Sequence, residues 1–346
     1  METKVFKVCS EHSPILVKAA DVIKRGGLVV FPTETVYGLG ADALSPAAAK
    51  KIYEAKGRPS DNPLIIHISD PNDAEKYTYT GEVYKKLAER FMPGPLTVVM
   101  RAREVVPMQT RGGLPTVAVR CPQNPIARRL ISLSGTPIAA PSANLSGSPS
   151  PTKAPHVIDD MNGRVDMILD GGSSDFGLES TIVKIEDDGA LTLLRPGKIT
   201  VEDLRAVGAE IRIAGAVTQR LGEGETALSP GMKYKHYAPK AQFILLDGSV
   251  DDICKYLEEK AGQNTAILAY AEDEKMLLQS LSSVKVYVLG SKFDEEAQAK
   301  NLFSLLREAD KRSHSEIYAP LPRTEGIGLA LYNRMIRAAA HKIIKL

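Results

Sequence analysis

Leu28-Val-Val-Phe31 runs into Pro32-Thr-Glu-Thr-Val-Tyr-Gly38, and Ser45-Pro46 then leads to Lys56-Gly57-Arg58-Pro59. The apolar quartet reads as a short buried strand. The hydroxyls and glycine that follow suit a ligand-facing turn, although threonine at a strand end is also commonplace. Ser45 before Pro46 opens a helix, with proline at the first helical position and Gly57 as its stop. Outward from this unit, further strands are predicted at Leu64–Ile68, Leu96–Met100, Thr116–Val119, Pro137–Ala140, Met167–Leu169, Thr181–Ile185 and Leu191–Leu194. A second helix is predicted from Asn124, its cap, to Leu133, with Pro125 next to the cap. Strands that follow one another without regular helical alternation argue for a twisted mixed sheet, not a simple doubly wound one.

After about residue 241 the pattern becomes regular. Strand Phe243–Leu246 precedes helix Val250–Lys260, and strand Ala266–Ala269 precedes helix Glu272–Leu281. Strand Val284–Leu289 then precedes helix Glu295–Arg312, and strand Glu316–Ala319 precedes helix Gly326–Lys342. Four β-α units of this kind predict a smaller, Rossmann-like parallel α/β domain. No Walker A or Gly-x-Gly-x-x-Gly sequence accompanies them, so that shape implies no dinucleotide. Between the two patterns, Gly222-Glu-Gly-Glu-Thr226 and Ser229-Pro-Gly-Met-Lys-Tyr-Lys-His-Tyr-Ala-Pro239 show neither period and suit a linker. The expected organisation is a domain over 1–212, a linker over 213–241 and a domain over 242–346.

Composition narrows the function classes. With 346 residues, the chain is long enough for two cores. No stretch approaches the roughly 20 apolar residues that span a bilayer, so no membrane association is expected. Three widely spaced cysteines, Cys9, Cys121 and Cys254, offer neither a disulfide framework nor zinc spacing and fit a reducing cytoplasm. The net charge of +2 is spread evenly, with 24 Lys+Arg against 22 Asp+Glu in residues 1–200 and 20 against 20 in the rest. A phosphate-backbone binder usually shows a more basic balance. Locally, Arg90 to Gly135 holds seven arginines and one acid, Glu104, which reads either as a solvated face or as an anion-binding region.

The chemistry-bearing residues stand at element ends. Lys56 and Arg58 leave the helix stop together and could meet one anion, although cations there also simply complement the helix dipole. Ser142 and Asn144, two apart in an extended segment, share a face; the alternative is a turn that caps its own backbone. The small residues Ser146 to Ser150 can approach phosphates closely. His67 alternates with Ile66 and Ile68 and so faces away from them, as many structural histidines do. Arg195 stands before Pro196 at another strand end. A cationic, hydroxyl-lined set poor in carboxylates is unsuited to glycoside hydrolysis or a caged metal. It suits a triphosphate that carries its own Mg²⁺, where catalysis is positioning plus charge neutralisation.

Phe31–Gly40, Lys56–Pro59, Pro141–Asn144, Leu194–Gly197 and Ser229–Pro239, in this order, resemble the threonylcarbamoyl-AMP synthase family in its long form. The resemblance implies a YrdC-like catalytic domain with an open cationic cavity, followed by a C-terminal domain. It implies that L-threonine, bicarbonate (or CO₂) and ATP with Mg²⁺ give threonylcarbamoyl-adenylate and pyrophosphate. A downstream tRNA threonylcarbamoyl transferase complex would then modify the adenosine beside the anticodon. Lys56, Arg58, Ser142 and Asn144 would carry catalysis, and with Asn62, Thr116, Ser150, Arg195 and Tyr237 they would bind ATP. Thr35, His67, Arg120, Ala140 and Ser180 would hold threonine, with Arg120 as carboxylate partner on charge grounds. No protein metal ligand is implied, and Lys233–Tyr237 would cover the site as a lid.

Three rival readings are open to this sequence. One is weak RNA binding, against which 5% aromatic content without tryptophan argues. Another is carbamoyl transfer in hydrogenase maturation, whose zinc modules three scattered cysteines do not supply. The last is a structural scaffold.

Overall fold

The computed structural model describes residues 2–219 and 236–346 and forms two compact units. Lys233, Tyr234 and Lys235 of the expected lid lie outside the described residues.

The larger unit is built on an eleven-stranded mixed sheet. In chain order its strands are β1 (Lys4–Lys7), β2 (Val29–Phe31), β3 (Gly38–Asp42), β4 (Ile65–His67), β5 (Leu96–Arg101), β6 (Thr116–Arg120), β7 (Ile138–Ala139), β8 (Met167–Asp170), β9 (Thr181–Ile185), β10 (Leu191–Arg195) and β11 (Ile211–Ile213). Across the sheet they run β1-β8-β2-β3-β7-β4-β6-β5-β9-β10-β11. Parallel pairs such as β4/β6 and β5/β9 alternate with antiparallel ones such as β4/β7 and β5/β6. The expected mixed sheet is therefore present.

Its helices are α1 (Ile15–Lys24), α2 (Pro46–Lys56), α3 (Glu82–Phe91), the single turn α4 (Met108–Arg111), α5 (Pro125–Ser134), α6 (Ala154–Met161) and the short α7 (Val201–Arg205). Leu16, Ala19, Ala20 and Ile23 of α1 and Ile126, Ala127, Leu130 and Ile131 of α5 bury their apolar stripes in one cluster with Val29, Phe31, Ile138 and Ala140 of the sheet.

β3 was not expected from its sequence, Gly-Leu-Gly-Ala-Asp, which has little strand propensity. It is held by antiparallel pairing to β2 on one side and β7 on the other. Its glycines have a packing reason. A Cβ at Gly40 would stand 2.7 Å from both Ile138 Cγ2 and Phe31 Cε1. The bare strand lets the Phe31 ring lie across it and meet the His67 ring edge-on, at 6.1 Å between centroids.

The second unit takes in 236–346 together with Gly147–Pro149 and Phe176–Leu178. Its strands are β12 (Gln242–Asp247), β13 (Thr265–Tyr270), β14 (Lys285–Gly290), β15 (Glu316–Pro320) and β16 (Ile343–Lys345). All pair in parallel, in the order β14-β13-β15-β12-β16. Helices α8 (Val250–Lys260), α9 (Glu274–Ser280), α10 (Glu295–Lys311) and α11 (Gly328–Ala338) connect them. The β-α reading agrees with this sheet, and only the short β16 lies beyond it. Among the described residues no helix is long and apolar enough to cross a membrane.

Candidate active site

Strand register sorts the candidate residues by face. His67 stands opposite Arg120 on β6 and opposite Ile138 on β7. Arg120 stands opposite Thr97 and Thr97 opposite Ile182; Arg195 pairs with Ile182 across a β-bulge after Leu193 and is tied to this face by its hydrogen bonds to Ser180. Residues in register share a face, as do residues two apart along a strand. Thr116, two steps of two before Arg120, joins the set, as do Ala140, two beyond Ile138, and Ser180, two before Ile182. Ser142 bridges Gly38 in the same register. Seven candidates from five segments thus lie on one face of one sheet. Along β6, the four steps from Thr116 to Arg120 separate the two ends of this face by about 13 Å.

Lys56 marks one end. Gly57 caps α2 in the left-handed conformation, with φ 62°, and turns the chain so that the Arg58 amide donates to Tyr53 O at 2.9 Å. Lys56 Nζ then donates to the carbonyl oxygens of Ser142 and Asn144, at 2.5 Å each. Ser142 Oγ donates to Asn144 Oδ1 at 2.5 Å. The Lys-x-Arg and Ser-x-Asn pairs, far apart in sequence, therefore interlock. Arg58 is buried and donates to the carbonyls of Asn62 at 3.3 Å and Pro63 at 3.1 Å. Asn62 is also buried, and its Oδ1 has no partner among the described residues.

The other end holds the expected threonine residues. Arg195 donates to Ser180 O at 3.0 Å and to Ser180 Oγ at 3.2 Å, and Ser180 Oγ shares a 2.8 Å hydrogen bond with Thr97 Oγ1. Ser150 donates to Glu179, the residue before Ser180. Arg195 and Ser150, expected at ATP, are held beside Ser180 and Glu179. Thr35 is fully buried, and its hydroxyl lies 2.9 Å from that of Thr33. Burial, reinforced by the charge of Arg120, pushes His67 down to about 3, so its ring is neutral. Its Nδ1 is enclosed without a partner among the described residues.

Two carboxylates escaped the sequence reading. Glu34, between Thr33 and Thr35, accepts from Arg120 at 2.6 Å with both side chains buried. Glu179 is the second. No spacing links position 34 to position 120, and only the fold pairs them. Tyr237 lies in the second unit, with φ 65°, stacked on Phe303 at 5.4 Å and beneath the Arg334 guanidinium at 5.5 Å.

Comparisons with known proteins identify relatives over nearly the whole chain. A family model described as telomere recombination matches residues 21–197, and one described as threonylcarbamoyl-AMP synthase, C-terminal domain, matches residues 199–340. The chain is 46% identical over 332 residues to the threonylcarbamoyl-AMP synthase of Pyrococcus abyssi, covering 94% of each chain. It is 43% identical over 340 residues to that of Bacillus subtilis, covering 97% of this chain and 96% of the other. The crystal structure of Pyrococcus abyssi Sua5 complexed with L-threonine superposes with a TM-score of 0.91 at 43% identity, over 99% of this chain and 100% of that one.

Proposed function

Because this chain belongs to the threonylcarbamoyl-AMP synthase family and is an enzyme of the nucleotidyltransferase type, we propose that it forms L-threonylcarbamoyl-adenylate and pyrophosphate from L-threonine, bicarbonate or CO₂, and MgATP. The observation that carries the reading is the common face. The interlocked Lys56, Ser142 and Asn144 stand at one end, and Arg120, His67, Ser180 and Arg195 at the other.

Such a face can hold a two-part substrate end to end. Threonine's amine adds to CO₂ with loss of a proton and becomes a carbamate. A carbamate oxygen then attacks the α-phosphorus, the bond to the bridging oxygen breaks, and pyrophosphate leaves. Lys56 and Arg58 stabilise charge on the phosphoryl oxygens, while Ser142, Asn144, Asn62 and Thr116 orient the nucleotide. Arg120, His67, Ser180, Thr35 and the Ala140 backbone hold the amino acid; Arg195 and Ser150, beside Ser180, act where the two substrates meet. Mg²⁺ carried by the ATP phosphates would supply charge neutralisation there. The product feeds a transferase that moves the threonylcarbamoyl group to the tRNA adenosine beside the anticodon.

Incubation with ¹⁴C-bicarbonate and ATP tests the reading. Label should enter an adenylate with threonine, fall at least tenfold with serine, and stay out without an amino acid. Label that enters independently of threonine would overturn it.

A further inference from the structure

The Glu34–Arg120 pair is buried within the threonine end of the face, with side-chain exposures of 8% and 5%. Taking two charges out of water offsets most of their attraction, so fold stability is a weak explanation for a pair so placed. Its hydrogen bonds are more telling. Arginine carries five N–H donors. Glu34 Oε1 takes one from a terminal nitrogen of Arg120, and Glu34 Oε2 accepts from the Asn124 amide at 3.4 Å. Arg120 Nε is enclosed and has no partner among the described residues. His67 Nδ1, in register on the neighbouring strand, is in the same condition. Enclosed polar atoms are normally paired. The Arg120 Nε–H can only donate, so it asks for an acceptor oxygen, and a carboxylate supplies one.

We propose that Glu34 is the positioning residue of the threonine subsite, its carboxylate pinning Arg120 by one terminal nitrogen so that the enclosed Nε–H meets the substrate's carboxylate. The inference rests on the reading of Arg120 as carboxylate partner given above.

Position and charge can be separated by substitution. Glu34→Gln keeps the length and an acceptor oxygen but loses the charge; Glu34→Asp keeps the charge but falls one carbon short. For each folded variant, threonine Kd is measured by calorimetry, and KM for threonine and for ATP is measured alongside kcat. Glu34→Gln should stay within about threefold of the native chain, and Glu34→Asp should weaken threonine at least tenfold with ATP KM within twofold. If Glu34→Asp binds normally while Glu34→Gln does not, or if both bind normally, the positioning role is wrong. Arg120→Gln is the control for the underlying reading. Unchanged threonine binding in that variant would overturn the assignment of Arg120, and the inference with it.

Discussion

His67 shows what a single residue's surroundings dictate. Alternation along Leu64–Ile68 was enough to turn it away from Ile66 and Ile68, and its face is the one that carries Arg120. What alternation could not supply was its neighbours, because Arg120 and Phe31 reach it from strands 53 and 36 residues away. Their consequence is measurable. The folded chain keeps His67 neutral down to about pH 3, whereas in the unfolded chain it takes a proton near pH 6.5. Between those values the unfolded state binds more protons, so this residue's contribution to stability falls as pH drops below about 6.5 and is constant above it. At pH 5 the loss amounts to about 2 kcal/mol. Urea unfolding of the native chain and of His67→Gln at pH 7.5 and 5.0 should show the pH difference shrinking by about that amount in the variant. An equal difference in both proteins would mean that His67 is not held neutral.

At the scale of elements, the legibility of the α-helices in the first 200 residues follows capping chemistry. The two helices read in the first 200 residues both begin at a side chain that accepts from the helix. Ser45 accepts from the Ala48 amide, and Asn124 accepts from the amides of Ile126 and Ala127. The longer ones left unread, α1, α3 and α6, begin at Pro14, Gly81 and Lys153, none of which makes a side-chain cap. Their stability comes from burying an apolar stripe, and that depends on what they pack against. β3 was illegible for a related reason, since its two partners hold it and its own propensities do not. The packing at Gly40 gives a test. A methyl group there would sit 2.7 Å from Ile138 and Phe31, both in the core, and overpacking of this kind costs about 1–3 kcal/mol. Gly40→Ala should lower the urea midpoint accordingly and weaken threonine binding through displacement of Phe31 from His67. A variant with native stability would show that Phe31 can move aside freely.

For the molecule as a whole, the site is assembled by strand order. β3, β7, β4, β6, β5 and β9 lie side by side although they come from positions 38 to 185 of the chain, so motifs that are weak singly become one surface. Their types and order were legible; the split between a Lys56 end and an Arg195 end was not, because it depends on which strands run antiparallel. Charge balance across this surface bears on the metal. Mg²⁺ is usually held by one or two carboxylates together with substrate phosphates. Here Glu34 is engaged by Arg120 and Glu179 by Ser150, and the Lys56 end presents ammonium, guanidinium, amide and hydroxyl groups. Such groups repel or ignore a bare divalent cation and attract a phosphate chain that already carries one. The metal should therefore bind with ATP and not before it. EDTA added to the protein alone is expected to leave Tm within about 1 °C and threonine Kd within twofold. In the complete reaction the same chelator should suppress adenylate formation at least a hundredfold, with full recovery on excess Mg²⁺. Loss of stability or of threonine binding in the chelated protein without ATP would place a resident metal on the side chains and overturn the assignment.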